Sequence, residues 1–258
     1  MTEVHPYTRP LISSPSPIKG EGNISIHPDT AALAEAIAQR WAELADAAIR
    51  DHGRFTVALS GGRTPRALYE RLASPAWRDR LPWDRTELYL GDERCVPADH
   101  PDSNARMVRE SLLDRLPDPP TFFPMATRPE RPDQDAARYA DLLRERLGDT
   151  PVPSFDLILL GMGADGHFAS LFPGTLALED REGFVLPVWV DKLGSQRLSL
   201  GRRLIAAAHH RIVMVTGEDK RSTLSAVLSD PASTLPIARL RRQAPLEWHT
   251  DRSAAPEG

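Results

Sequence analysis

Four short apolar runs in this chain break off, each at its C-terminal end, into glycine and polar residues. Phe55 to Leu59 runs into Ser60-Gly61-Gly62-Arg63-Thr64-Pro65, and Glu87 to Leu90 into Gly91-Asp92-Glu93-Arg94. Phe155 to Leu160 runs into the glycine-rich segment Gly161 to His167, and Ile212 to Thr216 into Gly217-Glu218-Asp219-Lys220. Helical spacing of apolar residues recurs between the runs: Leu33, Ile37, Trp41 and Leu44 before the first, Leu68 and Leu72 after it, then Met107, Val108, Leu112 and Leu116, with further helices predicted over about 134–147 and 219–228. Strands that alternate with helices, the strands too apolar to face water, predict an α/β fold on a mainly parallel sheet covered on both faces. In such a sheet ligands bind beyond the carboxyl ends of the strands, where all four polar clusters fall.

The chain has 258 residues, enough for one large core, and its −4 charge comes from 32 basic and 36 acidic residues mixed along its length. Nucleic acid is not the partner such a pattern suggests. Cys95 stands alone, so no internal disulfide forms, and no Cys/His spacing suits zinc. A cytoplasmic protein without metal or cofactor is the expectation, a monomer by default with an oligomer left open. Residues 1–27, rich in proline and serine and without a signal-peptide core, read as a flexible extension, and 28–258 as a single α/β domain. No apolar run approaches the roughly 20 residues that cross a bilayer. Phe184 to Val190 and Arg197 to Leu200 read as strands of undefined direction.

Ser60, Gly61, Gly62, Arg63 and Thr64 lie between a strand and a helix, where backbone N–H groups and the helix dipole favour an anion. The same glycines also serve an ordinary βα turn. Gly161-x-Gly163-x-x-Gly166 matches a dinucleotide fingerprint formally, but Pro173-Gly174 interrupts the helix that such a site needs. Asp165-Gly166-His167 presents an imidazole at a strand end, where it can move protons near neutral pH; alone, it would equally be a helix-capping histidine. Asp92 and Glu93 are placed to orient that ring or bind a sugar hydroxyl, or else form a solvated turn. Lys220 opens a helix, where a cation is disfavoured unless an anion shares the site.

Together these segments resemble the 6-phosphogluconolactonases, over about residues 30–255. The likeness is carried by Ser60 to Pro65, Gly91 to Arg94 with Asp99-His100 and Ser103-Asn104, and Gly161 to Gly174. It continues through Arg197 to Leu200, Gly217 to Lys220, Leu235-Pro236 and Trp248 to Asp251. The resemblance implies a three-layer α/β/α fold of modified Rossmann type, shared with glucosamine-6-phosphate deaminases, and no metal. It implies hydrolysis of 6-phosphoglucono-1,5-lactone in the pentose phosphate pathway, with Ser60 to Thr64 and Lys220 on the phosphate and His167 in proton transfer. The family usually has proline at Ala164, threonine at Phe168 and often asparagine near Ala206, so the first two changes alter the turn that aims His167.

The mechanism expected from this set makes His167 the base for water and the acid for the ring oxygen, with Asp165 and Asp92 beside it. Ser60, Gly61, Gly62, Arg63, Thr64, Glu93, Arg94, Arg197 and Lys220 hold the substrate, and N–H groups of the glycine turn are candidate oxyanion donors. Two rivals stand against it. Amino-sugar-phosphate deaminases carry a glutamate in a Phe-Asn-Glu-Pro segment after the histidine, where this chain reads Phe168-Ala169-Ser170-Leu171-Phe172-Pro173. A non-catalytic sugar-phosphate sensor would tolerate the changes at Ala164, Phe168 and Ala206.

Overall fold

A computed structural model of the chain describes residues 24–148 and 150–257. Strand β1 (Ile24–His27) leads into helix α1 (Thr30–His52). Asp29 caps α1 by accepting the Ala32 N–H at 2.8 Å, and Gly53 ends it at φ 86, a left-handed conformation that suits glycine. Next come β2 (Phe55–Leu59), α2 (Arg63–Leu72), β3 (Thr86–Leu90), β4 (Asp92–Arg94), α3 (Asn104–Ser111), β5 (Thr121–Phe123), α4 (Pro132–Leu147) and β6 (Leu157–Gly161). The chain continues as α5 (Leu176–Glu179), β7 (Val185–Val190), β8 (Ser195–Leu200), α6 (Arg202–Ala207), β9 (His210–Val215), α7 (Arg221–Ser229), α8 (Pro236–Arg241) and β10 (Glu247–Asp251).

The main sheet is parallel throughout, in the order β1-β10-β9-β6-β2-β3-β5. Its central strands are closed to solvent on both faces: Val57, Leu59, Ile158, Leu159, Ile212 and Val213 are fully buried. From β1 through β2 and β3 to β5 the chain moves one way across the sheet; from β5 through β6 and β9 to β10 it moves back. Because parallel crossovers are right-handed, the reversal puts α1, α2 and α3 on one face and α4 to α8 on the other, giving the expected α/β/α layers. The reversal point lies between β2 and β6. Their carboxyl ends send their loops to opposite faces and leave a crevice between them.

Two expectations are corrected. Residues 24–27, read as part of a flexible extension, pair in parallel with β10 as an edge strand, so the ordered unit starts earlier than residue 28; residues 1–23 lie outside the described residues. Asp92 to Arg94, read as the polar end of β3, is a strand of a second sheet, antiparallel in the order β4-β8-β7. The hinge is Gly91, whose N–H donates to Leu59 O at 2.7 Å while its carbonyl accepts from Leu200 N at 2.8 Å. One residue thus ends pairing with β2 and begins pairing with β8.

Candidate active site

A cavity of about 580 Å³ opens at the carboxyl ends of the central strands. It brings together Ser60, Gly61, Gly62, Arg63, Thr64, Asp92, Arg94, His167, Arg197 and Lys220 from five separate stretches of sequence. Of the expected site residues, Asp165 and Glu93 do not line it.

One wall is the start of α2. Gly62, at φ 106, is the residue before the helix, and no side chain caps its first turn. The N–H groups of this turn therefore meet the cavity with the helix dipole behind them. Ser60 contributes its hydroxyl but not its backbone: the Tyr69 phenol accepts from Ser60 N at 3.0 Å and donates to Ser60 O at 2.8 Å. That clamp fixes the loop. Gly61 admits no side chain, since a Cβ would collide with the Asn104 amide. Thr64 Oγ1 lies 2.6 Å from Thr216 Oγ1, joining the loops after β2 and β9. Asp251 holds the latter loop by accepting from Gly217 N at 3.2 Å, and Lys220 in it hydrogen-bonds Asp219 Oδ2 at 2.7 Å.

The opposite wall carries the proton chemistry. His167 Nδ1 lies 2.5 Å from Asp165 Oδ1, which also accepts the His167 N–H at 3.2 Å. The Phe172 ring stacks on the imidazole at 4.0 Å and 24°, and the turn beneath is tight enough that a Cβ on Gly163 would strike Nδ1. Gly166, at φ 74, lies against Leu235, and its carbonyl accepts from Ile237 N at 3.0 Å. Asp165 stands behind the ring and leaves Nε2 as the nitrogen available to the cavity. Burial opposes ionisation of Asp165, but the Lys192 ammonium and the His167 ring outweigh it and bring the carboxyl down to about 2. Burial pulls His167 below its ordinary value by more than Asp165 and Asp92 raise it. A neutral imidazole backed by a carboxylate is a base.

Asp92 faces the cavity from β4 and is held by Ser170, whose hydroxyl donates to its Oδ2 at 2.7 Å. To bring Ser170 there, Ala169 turns at φ 46, a left-handed conformation costly for a residue with a Cβ. Arg94 and Arg197 face each other in the β4–β8 register, like charges side by side. Burial and the Arg94 cation both pull the Arg197 guanidinium below its ordinary value, which marks a place that favours an anion.

Glu93 has another task. Its carboxylate accepts the N–H groups of Arg94 and Asn104 at 2.7 Å and of Ala105 at 2.8 Å, so it caps α3 from below. The glycine turn is also not a free set of oxyanion donors, because Gly163 N donates to His167 O and Gly166 N to Gly163 O, both at 2.9 Å. The departures at Ala164, Phe168 and Ala206 lie off the cavity wall. Phe168 is fully buried in the core, and Ala164 meets the Thr223 hydroxyl through its carbonyl. Residues the sequence reading gave no role also enter the site: Asn104 donates to Asp92 O at 2.9 Å, Ser170 holds Asp92, Thr216 and Asp251 shape the far loop, and Lys192 pairs with Asp165. Lysine occurs only at positions 19, 192 and 220, and that scarcity is the one sequence feature that sets Lys192 apart. Among the described residues no cluster of three His, Cys, Asp or Glu side chains is arranged to hold a metal ion, and no helix is long and apolar enough to cross a membrane.

Comparison with known proteins finds relatives over most of the chain. A 6-phosphogluconolactonase of Nostoc sp. is 38% identical over 239 residues, covering 91% of this chain and 97% of the relative. One from Synechocystis sp. is 41% identical over 212 residues, covering 80% and 86%. The solved 6-phosphogluconolactonase of Trypanosoma brucei superposes with a TM-score of 0.79 at 30% identity, covering 91% of this chain and 97% of that one. The family model described as glucosamine-6-phosphate isomerases/6-phosphogluconolactonase matches residues 28–248, nearly the whole of the two-sheet unit, and the chain belongs to that family.

Proposed function

We propose that this enzyme hydrolyses 6-phospho-D-glucono-1,5-lactone to 6-phospho-D-gluconate, the lactone-opening step of the oxidative pentose phosphate pathway. The observation that carries the reading is an imidazole fixed through Nδ1 by Asp165 in the same cavity as an uncapped helix start and Lys220. The Ser60 and Thr64 hydroxyls and the N–H groups at the uncapped start of α2, with Lys220, bind the phosphate. His167 Nε2 takes a proton from water, the hydroxide adds to C1, and the tetrahedral oxyanion collapses with cleavage of the C1–O5 bond. The proton on Nε2 passes to O5, which leaves as the hydroxyl of the open acid. Arg197 and Arg94, rather than the occupied N–H groups of the glycine turn, face the developing oxyanion. Arg197 Cζ lies 5.7 Å from the Phe172 ring that stacks on His167, which favours the carbonyl end of the substrate over the phosphate end.

The deaminase reading needs an acid after the histidine. The cavity wall there is Ala169, and the neighbouring Ser170 hydroxyl is spent on Asp92. His167→Ala is expected to lower lactone turnover by about 10²-fold or more while 6-phosphogluconate still binds. Acid release from freshly generated lactone, corrected for spontaneous opening, with glucosamine 6-phosphate assayed in parallel, is the measurement. Unchanged turnover would remove His167 from the mechanism.

A further inference from the structure

Asp165 uses its two oxygens on two different parts of the molecule. Oδ1 meets His167 Nδ1, and Oδ2 receives the ammonium of Lys192. Lys192 belongs to neither the main sheet nor the glycine turn. It sits in the short turn Asp191–Leu193 that joins β7 to β8, and Gly194, at φ 52, closes that turn. Its Nζ also lies 4.7 Å from the centre of the Phe172 ring, whose face covers the imidazole. Lys192 thus touches both groups that orient His167 and does not itself line the cavity.

We propose that Lys192 is a positioning residue for the lactone-opening reaction: its ammonium anchors the outer oxygen of Asp165 and the face of Phe172, so the small sheet aims and tunes the His167 ring. An isolated Asp–His pair would hold the ring but would also stabilise the imidazolium, which is unable to act as a base. A cation on the far oxygen keeps the hydrogen bond and offsets the charge. The groups facing His167 are Asp165 on its own turn, Asp92 on β4, Lys192 on the hairpin and, across Phe172, Arg197 on β8. Of these the carboxylates favour the protonated ring and Lys192 disfavours it. The half-exposed Lys192–Asp165 pair adds little to global stability, so its removal reads out on the ring rather than on the fold.

The inference rests on His167 being the base, and its test separates the two ideas. Lys192→Met removes the charge at nearly constant length, and Lys192→Arg restores it. In the full chain, kcat and KM for the lactone are measured against pH, and the His167 ring is titrated by NMR in labelled protein. Lys192→Met is expected to lower kcat about tenfold at neutral pH with KM within about twofold, and to move the acid limb and the ring titration to higher pH. Lys192→Arg is expected to recover most of the loss, and the melting temperature to stay close to that of the parent. A His167 titration and a kcat that do not move in Lys192→Met overturn the inference. The NMR titration tests Lys192 whatever the substrate, whereas turnover that survives His167→Ala overturns the reading of the base alone.

Discussion

At the scale of single residues, the distance between His167 and the floor of its turn decides whether the ring is aimed. Gly163 has no Cβ because Nδ1 and Cε1 of His167 and Oδ1 of Asp165 occupy the space one would take. Gly163→Ala is expected to push the imidazole off Asp165 and lower kcat by about 10²-fold, since a displacement near 1 Å is enough for that. Its melting temperature is expected to fall only slightly, because the turn is at the surface of the cavity rather than in the core. Steady-state kinetics beside thermal unfolding check it, and a fall in stability without a fall in kcat would assign Gly163 to folding instead. His167, Asp165 and the Ser60 to Thr64 loop were legible in the sequence because each lies within a few residues of a strand end. Lys192, Ser170, Thr216 and Asp251 were not legible. Each meets its partner across at least 27 residues of chain, and no local pattern encodes such a meeting.

At the scale of elements, local periodicity found the buried strands and the long helices and failed where pairing decides. Residues 92–94 read as a turn because their side chains are charged. They form a strand because Gly91 switches partners and β8 supplies the ladder. That switch also explains Glu93. Alternation along β4 points Asp92 and Glu93 to opposite sides, one into the cavity and the other under α3. Glu93 is almost fully buried, and burial together with Asp92 raises its carboxyl above the ordinary value despite three backbone N–H donors. Glu93→Ala leaves those donors and the Ser103 hydroxyl without their acceptor, at a cost of about 2 kcal/mol or more. The expected result is a melting temperature about 5 °C lower, with a smaller loss for Glu93→Gln, which keeps one carbonyl oxygen. A substrate-binding Glu93 would instead raise KM and leave the melting temperature alone.

At the scale of the whole molecule, two sheets share one crevice, and the edge strand β1 completes the larger sheet. Its four residues are too few and too mixed to announce a strand; β10 makes them one. Their side-chain tie is a line of polar groups, from His27 Nε2 to His249 Nδ1 at 3.1 Å, from His249 Nε2 to Glu247 Oε1 at 3.0 Å, and from Glu247 Oε2 to Arg40 Nε at 3.2 Å. The same edge reaches the site, because Thr30 follows β1 into the cavity wall and Asp251, beside His27 in the register, holds Gly217. Burial and the neighbouring His249 lower His27 from 6.5 to about 4. Between those values the unfolded chain binds a proton that the folded one refuses, so stability falls as pH drops from about 6.5 towards 4 and is fully present above that window. Burial and Arg40 lower His210 on β9 as well, which adds a smaller slope of the same sign. His27→Gln keeps a polar group at the end of β1 and cannot titrate. Its melting temperature is therefore expected to decline less than that of the parent between pH 6.5 and 4, and to match the parent's slope above pH 7. Parallel slopes for the two proteins through the acid window would show that the β1 edge does not sense pH through His27.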